Sequence, residues 1–156
     1  MSTRFEYYIV GDENWCWTWD GEWLAQTFTS PVAHRITSVK LKGFRRGLPG
    51  TVTVSIRATD GDGHPTGDDL CVGTTNGNTL TTSIYGEWRE IFLGAGCDLA
   101  ADTKYAIVPR IAGGVEGVTD LCLRLDITSP TYAGGCWEDN HDYGVTWTES
   151  YPSRDL

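Results

Sequence analysis

Short stretches in which apolar and polar residues alternate recur along the chain every ten to fifteen residues. The clearest is 51–58, where Val52, Val54 and Ile56 share one face and polar residues fill the other, and 121–127 repeats the pattern with leucine. A period of two is typical of strands with one buried face. Predicted strands are 4–10, 13–19, 22–30, 34–42, 51–58, 70–75, 80–84, 87–93, 104–111, 121–127 and 145–148.

Gly, Asp, Asn and Pro separate these stretches, with longer loops predicted at 43–50 and 60–69. Thr and Gly together make up a quarter of the chain, and there are seven Trp and seven Tyr. Thr, Tyr and Trp favour strands, and Gly favours turns. A length of 156 residues suits one domain. The sequence therefore predicts a single all-β domain over 1–156, a two-sheet antiparallel β-sandwich of eight to ten strands of the jelly-roll kind.

The net charge of −9 is unevenly placed, because 59–156 holds sixteen acidic residues against five basic ones. An acidic surface repels phosphate, so nucleic acid is not expected as a ligand. No apolar run approaches the length of a membrane span, so we expect no insertion into a membrane. One small basic group, Lys40, Lys42, Arg45 and Arg46, is either a solvated face or a contact for the acidic side of a neighbouring copy.

Five cysteines occur without a CxxC pair, which favours buried free thiols. A bridge between Cys16 and Cys136 is the alternative. Nucleophile-elbow, zincin, phosphate-loop and dinucleotide motifs are missing from the sequence. We therefore expect a protein that is not an enzyme, with no catalytic residues and no organic cofactor.

The aromatic residues carry the main functional signal. Trp15, Trp17 and Trp19 alternate and so share one strand face, and Asp20-Gly21 after them is a strong hairpin signal. Such a hairpin would place Trp17 opposite Leu24 and Trp15 opposite Gln26. The stripe then either lines the core or one open end of the sandwich, forms a platform on which sugar rings stack, or contacts another protein.

A second cluster lies in 132–143, where glycines, aromatic residues and hydrogen-bond acceptors are typical of a loop that displays side chains. Trp137 or Tyr143 would stack on a sugar, and Asp139 and Asn140 would accept hydrogen bonds from its hydroxyls. The alternative is an ordinary polar loop at the sandwich edge.

A third cluster is the acidic loop that contains Asp60, Asp62 and Asp68. Spaced carboxylates with glycines resemble part of a calcium loop, because Ca²⁺ prefers several oxygen ligands. The same composition is also typical of a long hairpin turn. The sequence therefore predicts a turn, with a Ca²⁺ site as the alternative.

Several strand and turn motifs together resemble jelly-roll modules of the choice-of-anchor or carbohydrate-binding-like kind, which occur in secreted multidomain proteins and in phage structural proteins. The resemblance covers roughly 23–150 and rests on 25–29, 36–41, 50–57, 62–67 with Leu70, 88–91 and 103–108. It implies a non-catalytic display or adhesion module with no catalytic residues to carry over.

From these observations we expect a binding or structural module of the extracellular space or the virion surface. No signal peptide is visible, so we expect that it was removed or that the protein leaves the cell by another route. The expected partner is a glycan or cell-surface polysaccharide, bound by Trp15, Trp17, Gln26, Trp137, Asp139, Asn140 and Tyr143. The alternative is a self-assembling or capsid-decorating protein whose aromatic surfaces contact other structural chains or further copies of itself.

Overall fold

A computed structural model describes residues 3–128, 130–149 and 155–156. Its ten strands are β1 Asn14–Thr18, β2 Trp23–Ser30, β3 His34–Arg46, β4 Thr51–Thr59, β5 Pro65–Asn76, β6 Glu87–Leu99, β7 Thr103–Ile111, β8 Asp120–Leu125, β9 Trp137–Asn140 and β10 Trp147–Glu149. One 3₁₀ turn, Gly77–Thr79, follows β5. No helix capable of crossing a lipid bilayer is present among the described residues.

The strands form two antiparallel sheets, in the orders β1-β8-β3-β6 and β10-β9-β2-β7-β4-β5. The pairing of the first eight strands is nested, because β1 pairs with β8, β2 with β7, β3 with β6, and β4 with β5. One long hairpin, with the β4–β5 connection at its tip, has thus been rolled up so that the other connections among these strands pass from one sheet to the other. This is the jelly-roll arrangement, to which β9 and β10 add two strands beside β2. The predicted β-sandwich is confirmed.

One apolar core fills the space between the sheets, and its members follow the predicted alternation. Val52, Val54 and Ile56 of β4 point into it, opposite Leu121 and Leu123 of β8. Burying such side chains from water is the main favourable term in the folding of a domain of this kind.

Two predicted strands are wrong. Residues 4–10 form no strand, although they are rich in strand-favouring aromatic and branched residues. Residues 80–84 form a loop after the 3₁₀ turn, and the loop lies beside β3, where the backbone N–H of Arg45 donates to the Thr81 carbonyl at 2.9 Å.

Predicted loops are also shorter than expected. β3 continues through Gly43 to Arg46, because Gly43 serves close packing rather than a turn: a Cβ there would lie 2.6 Å from the Cys122 carbonyl oxygen. β5 begins at Pro65, inside the predicted acidic loop, and β9 occupies part of the predicted display loop.

The turn at Asp20-Gly21 forms, but the hairpin predicted around it does not. Trp19 and Glu22 exchange backbone hydrogen bonds across the turn, and Asp20 adopts a φ of +45°. Beyond that bridge the two strands separate into different sheets. The predicted pairings with Leu24 and Gln26 are therefore wrong: Trp17 lies opposite Cys122, and Trp15 lies opposite Arg124.

The cysteine pairing also differs from the sequence-based alternatives. A disulfide joins Cys71 of β5 to Cys97 of β6, with the two Cα atoms 5.6 Å apart, and so links the two sheets. The Cys16–Cys136 bridge is wrong: Cys16 faces the core, 3.8 Å from the Leu123 carbonyl, whereas Cys136 precedes β9 in the other sheet.

Removing this cross-link is expected to destabilise the fold. The bond closes a loop with a sequence separation of 26, and in the chain-entropy model such a loop stabilises the folded state by about 3 kcal/mol. We predict that a Cys71→Ser/Cys97→Ser double variant loses about that free energy of unfolding in urea titration. Equal midpoints for the variant and the oxidised wild type would contradict the prediction.

Candidate binding site

The two first tryptophans of the stripe lie on the outside of the sandwich. In β1, Cys16 and Thr18 are buried, so the side chains between them point the other way. Trp15 is half-buried and Trp17 is 38% exposed. The interpretation in which they line the core is therefore wrong for both residues.

We call the outward side chains Trp15, Trp17, Phe44 and Trp88 of the four-stranded sheet the aromatic face. Trp88 of β6, 50% exposed, lies opposite Lys42 of β3. Since Gly43 pairs with Leu123, Lys42 lies beside Arg124, which in turn faces Trp15. A single row thus crosses the sheet from Trp15 through Arg124 and Lys42 to Trp88, spanning about 14 Å at ordinary strand spacing.

Arginines hold the β1 tryptophans in place. The Arg124 guanidinium carbon lies 5.7 Å from the Trp15 ring centre, and that of Arg46 lies 5.5 Å from the Trp17 ring centre. Phe44 packs edge-on against Trp15 at 5.8 Å. These contacts limit the rotation of both indoles, which reduces the conformational entropy that a ligand would have to remove.

Arg46 is itself anchored by a buried carboxylate. Its Nε and Nη2 donate to the two carboxylate oxygens of Asp120 at 2.7 and 2.5 Å, and Asp120 has no exposed surface. The hydrogen bond to Asp120 raises the pKa of Arg46 above its ordinary value, which outweighs the opposing effect of burial. The arginine that covers Trp17 is therefore permanently charged and fixed.

A cleft of about 820 Å³ runs beside the aromatic face, between β3 and the segment 3–12 that precedes β1. A volume of this size suits a ligand of several rings. Its outer part is lined by aromatic and polar side chains, among them Phe5, Tyr7, Ser38, Lys40, Trp88 and Glu90.

The polar groups of the cleft are paired with one another. The Ser38 hydroxyl donates to Glu90 Oε1 at 2.9 Å, and the Lys40 ammonium lies 3.9 Å from Glu90 Oε2. Lys42 forms an ion pair with Asp12 of the segment 3–12. A carboxylate, a hydroxyl and an ammonium thus lie beside the exposed ring of Trp88, where each can exchange a partner for a ligand hydroxyl.

The structure divides the residues predicted to bind a sugar between the two sheets. Trp15 and Trp17 belong to the aromatic face, whereas Gln26 and Trp137 point inward from the six-stranded sheet and are 7% and 6% exposed. Of these two, Gln26 also lines the inner part of the cleft. Gln26 is bonded internally, since its side-chain carbonyl accepts from the Leu156 N–H at 2.7 Å.

The remaining candidates lie near the edge of the six-stranded sheet. Asp139 and Asn140 are in β9, and the buried Asn140 side chain binds its own loop through the Thr146 carbonyl at 2.5 Å. Tyr143, in the loop between β9 and β10, is 61% exposed. These residues do not lie with Trp15 and Trp17 in one site.

Sequence reasoning missed Trp88. The signal was present, because Trp88, Glu90 and Phe92 occupy every second position of a predicted strand and so share one face. Nothing in the sequence, however, places that strand near β1. The nested strand order brings both strands into the same sheet.

The acidic loop forms a turn. Asp60 accepts the backbone N–H groups of Asp62 and His64, both at 3.0 Å, and these bonds lower the pKa of its carboxyl. Asp68 lies further on, in β5. Across the described part of the chain, no three His, Cys, Asp or Glu side chains are grouped to hold a metal ion, and this geometry gives the Ca²⁺ alternative no support.

Next to that turn, His64 contacts a carboxylate that is almost fully buried. His64 Nδ1 lies 2.8 Å from Glu138 Oε2, and Glu138 is 2% exposed. Burial raises the pKa of Glu138, and the hydrogen bond from Glu138 raises the pKa of His64. Both shifts mean that the folded protein holds protons more tightly than the unfolded chain does.

The sequence was also compared with known proteins. It matches no protein-family model and no curated protein. The resemblance to choice-of-anchor and carbohydrate-binding-like modules therefore stays a prediction.

Truncating two tryptophans should separate the aromatic face from the core. We expect Trp17→Ala to cost about 1 kcal/mol or less, since the ring is partly exposed, and Trp137→Ala to cost about 3–5 kcal/mol, as expected for a buried aromatic residue. Denaturant unfolding of both variants measures the difference. Equal, large losses would place Trp17 in the core.

The His64–Glu138 pair should make stability depend on pH. A raised histidine pKa stabilises the fold fully below the ordinary value of about 6.5, and the effect is lost as pH rises through the raised value. The advantage of wild type over His64→Gln, about 1 kcal/mol, should therefore shrink above that pH. In a Glu138→Gln background the same substitution should produce no such trend, and parallel pH profiles of wild type and His64→Gln would contradict the prediction.

Proposed function

We propose that the protein is a non-catalytic binding module that holds a carbohydrate chain against the aromatic face and the cleft beside it. The observation that carries this proposal is the position of Trp88, half exposed at the mouth of a cleft of about 820 Å³ and in one row with Trp15. The extracellular space or a virion surface is the proposed location.

The chemistry of the site fits a sugar. A flat indole packs against the C–H face of a pyranose, and an apolar surface with a few oriented polar groups is typical of small-molecule sites. Glu90 and Ser38 offer an acceptor and a hydroxyl beside Trp88, and Lys40 adds a donor. The Arg124 contact keeps Trp15 of the row in a fixed orientation, and the Arg46 contact does the same for Trp17 beside it.

A second candidate function is assembly with other protein chains. Ile84, Tyr85 and Phe92 are exposed, Phe92 on the same face of β6 as Trp88, and large exposed apolar side chains on one surface are typical of protein interfaces. In that case the aromatic face would contact a capsid or another structural chain rather than a sugar.

Binding to a glycan array followed by titration calorimetry tests the first candidate. We expect Trp88→Ala to weaken binding of an array hit at least tenfold, about 1.4 kcal/mol, because the variant loses the stacking surface. Tyr143→Ala is the matched control, since it removes an exposed aromatic ring, 61% exposed against 50% for Trp88, from the loop between β9 and β10 and should bind like wild type.

Three results would contradict the proposal. Binding lost in Tyr143→Ala but kept in Trp88→Ala would move the site to the loop between β9 and β10. Unchanged binding in both variants would exclude both rings. No glycan bound by folded wild type would remove carbohydrate as the ligand.

A further inference from the structure

One edge of β3 is open over most of its length. β6 pairs with β3 along one side from His34 to Gly43, but on the other side the register with β8 covers only Gly43–Arg46. Along 34–42, the structure describes no strand hydrogen-bonded to the second side. A row of unpaired N–H and C=O groups is a template for pairing with another strand.

The segment 3–12 lies across the cleft from this edge. Phe5 stacks on the His34 ring at 3.7 Å, and Asp12 is paired with Lys42, so the segment runs in the same direction as β3. β1, which follows it, is also parallel to β3, with β8 between them. The cleft therefore occupies the position that β8 would fill if β8 continued beyond Leu125.

We propose that this slot accepts an extended strand from a second copy of the chain, namely its segment 3–12, which adds to the open edge of β3. The proposal goes beyond carbohydrate binding and does not rest on it.

The donor segment has the composition of a strand and an alternation that matches the slot. Phe5, Tyr7 and Ile9 occupy every second position of the segment, so they would share one face of a strand. In the single copy they are 39%, 59% and 59% exposed. The inner wall of the slot includes the core residues Phe28, Ile107 and Leu123. One face of an inserted segment would thus bury Tyr7 and Ile9, which now lie largely in water, and the exposed part of Phe5.

The length also fits. The open edge has nine residues and the segment has ten. An inserted segment can therefore pair with the open edge over its whole length.

Strand direction explains why the segment comes from another copy. Within one copy the segment runs parallel to β3, and none of its described residues forms a backbone–backbone hydrogen bond with β3. A second copy is not restricted to that direction, so its segment can enter antiparallel like every other strand of the sheet. Antiparallel pairing is slightly the more stable kind, and edge addition of this sort is a known mode of recognition.

Light scattering of the full chain over a concentration series, without any glycan, is the first test. We expect the mass to rise above 17.2 kDa as concentration rises. Backbone hydrogen exchange on the same samples should show concentration-dependent protection of the amides in 34–42 that point away from β6.

A matched pair of variants identifies the donor strand. Tyr7→Pro removes a backbone N–H and blocks strand pairing, but it leaves the core unchanged because Tyr7 is largely exposed, so this variant should stay monomeric. Tyr7→Phe keeps both the N–H and the ring and should assemble like wild type.

Three outcomes would overturn the proposal. Wild type at 17.2 kDa throughout the series, with or without protection of 34–42, means that no second copy donates a strand. Assembly that survives in folded Tyr7→Pro means that another surface, such as the aromatic face, joins the copies. Assembly without added protection in 34–42 means that β3 is not the acceptor.

Discussion

The nested pairing of β1 with β8, β2 with β7, β3 with β6 and β4 with β5 is the constraint on which the other features depend. Apart from the β4–β5 hairpin at the centre of the nesting, each connection among the first eight strands carries the chain from one sheet to the other, so most neighbours in sequence do not become neighbours in a sheet. The aromatic face is a direct consequence, because β1 and β6, which are distant in sequence, lie on opposite edges of the same sheet. The open edge of β3 follows as well, since β8 is too short to pair with all of it.

On the outer surface of the four-stranded sheet, charge and aromatic packing act together. The carboxylate of Asp120 is buried, and its burial would cost free energy without a cation beside it. Arg46 donates hydrogen bonds to both carboxylate oxygens and also covers one side of Trp17. Arg124 also combines an aromatic contact with a hydrogen bond, since it lies over Trp15 and donates to the Ile84 carbonyl at 2.9 Å. The loop that contains Ile84 is thereby linked to Trp15 through one side chain.

The fold could largely be predicted from the sequence because its signal is local. The alternation in 51–58 and 121–127 correctly indicated which side chains face the core. The segment 4–10 could not be assigned in this way, because it has the composition of a strand but no described neighbour to pair with. Gly43 was misleading for a related reason: glycine suggests a turn, and only the close approach of Cys122 shows that it belongs to a strand.

The candidate site was harder to predict because it depends on pairings between distant segments. The Asp20-Gly21 turn does form, yet it joins strands of different sheets, so a local rule that correctly located the turn gave the wrong partners for Trp15 and Trp17. Trp137 and Gln26 have polar or display-loop neighbours in sequence, but the register of β9 on β2 directs both toward the core.

The Cys71–Cys97 bond fastens the two sheets at the side where β5 lies against β6, whereas the cleft lies on the far side of β3 from β6. The sandwich is therefore closed covalently along one side and incompletely hydrogen-bonded along the other. The disulfide fixes the spacing of the two sheets where β5 lies against β6. A ligand or strand that widens the cleft can therefore do so without changing the spacing on that side.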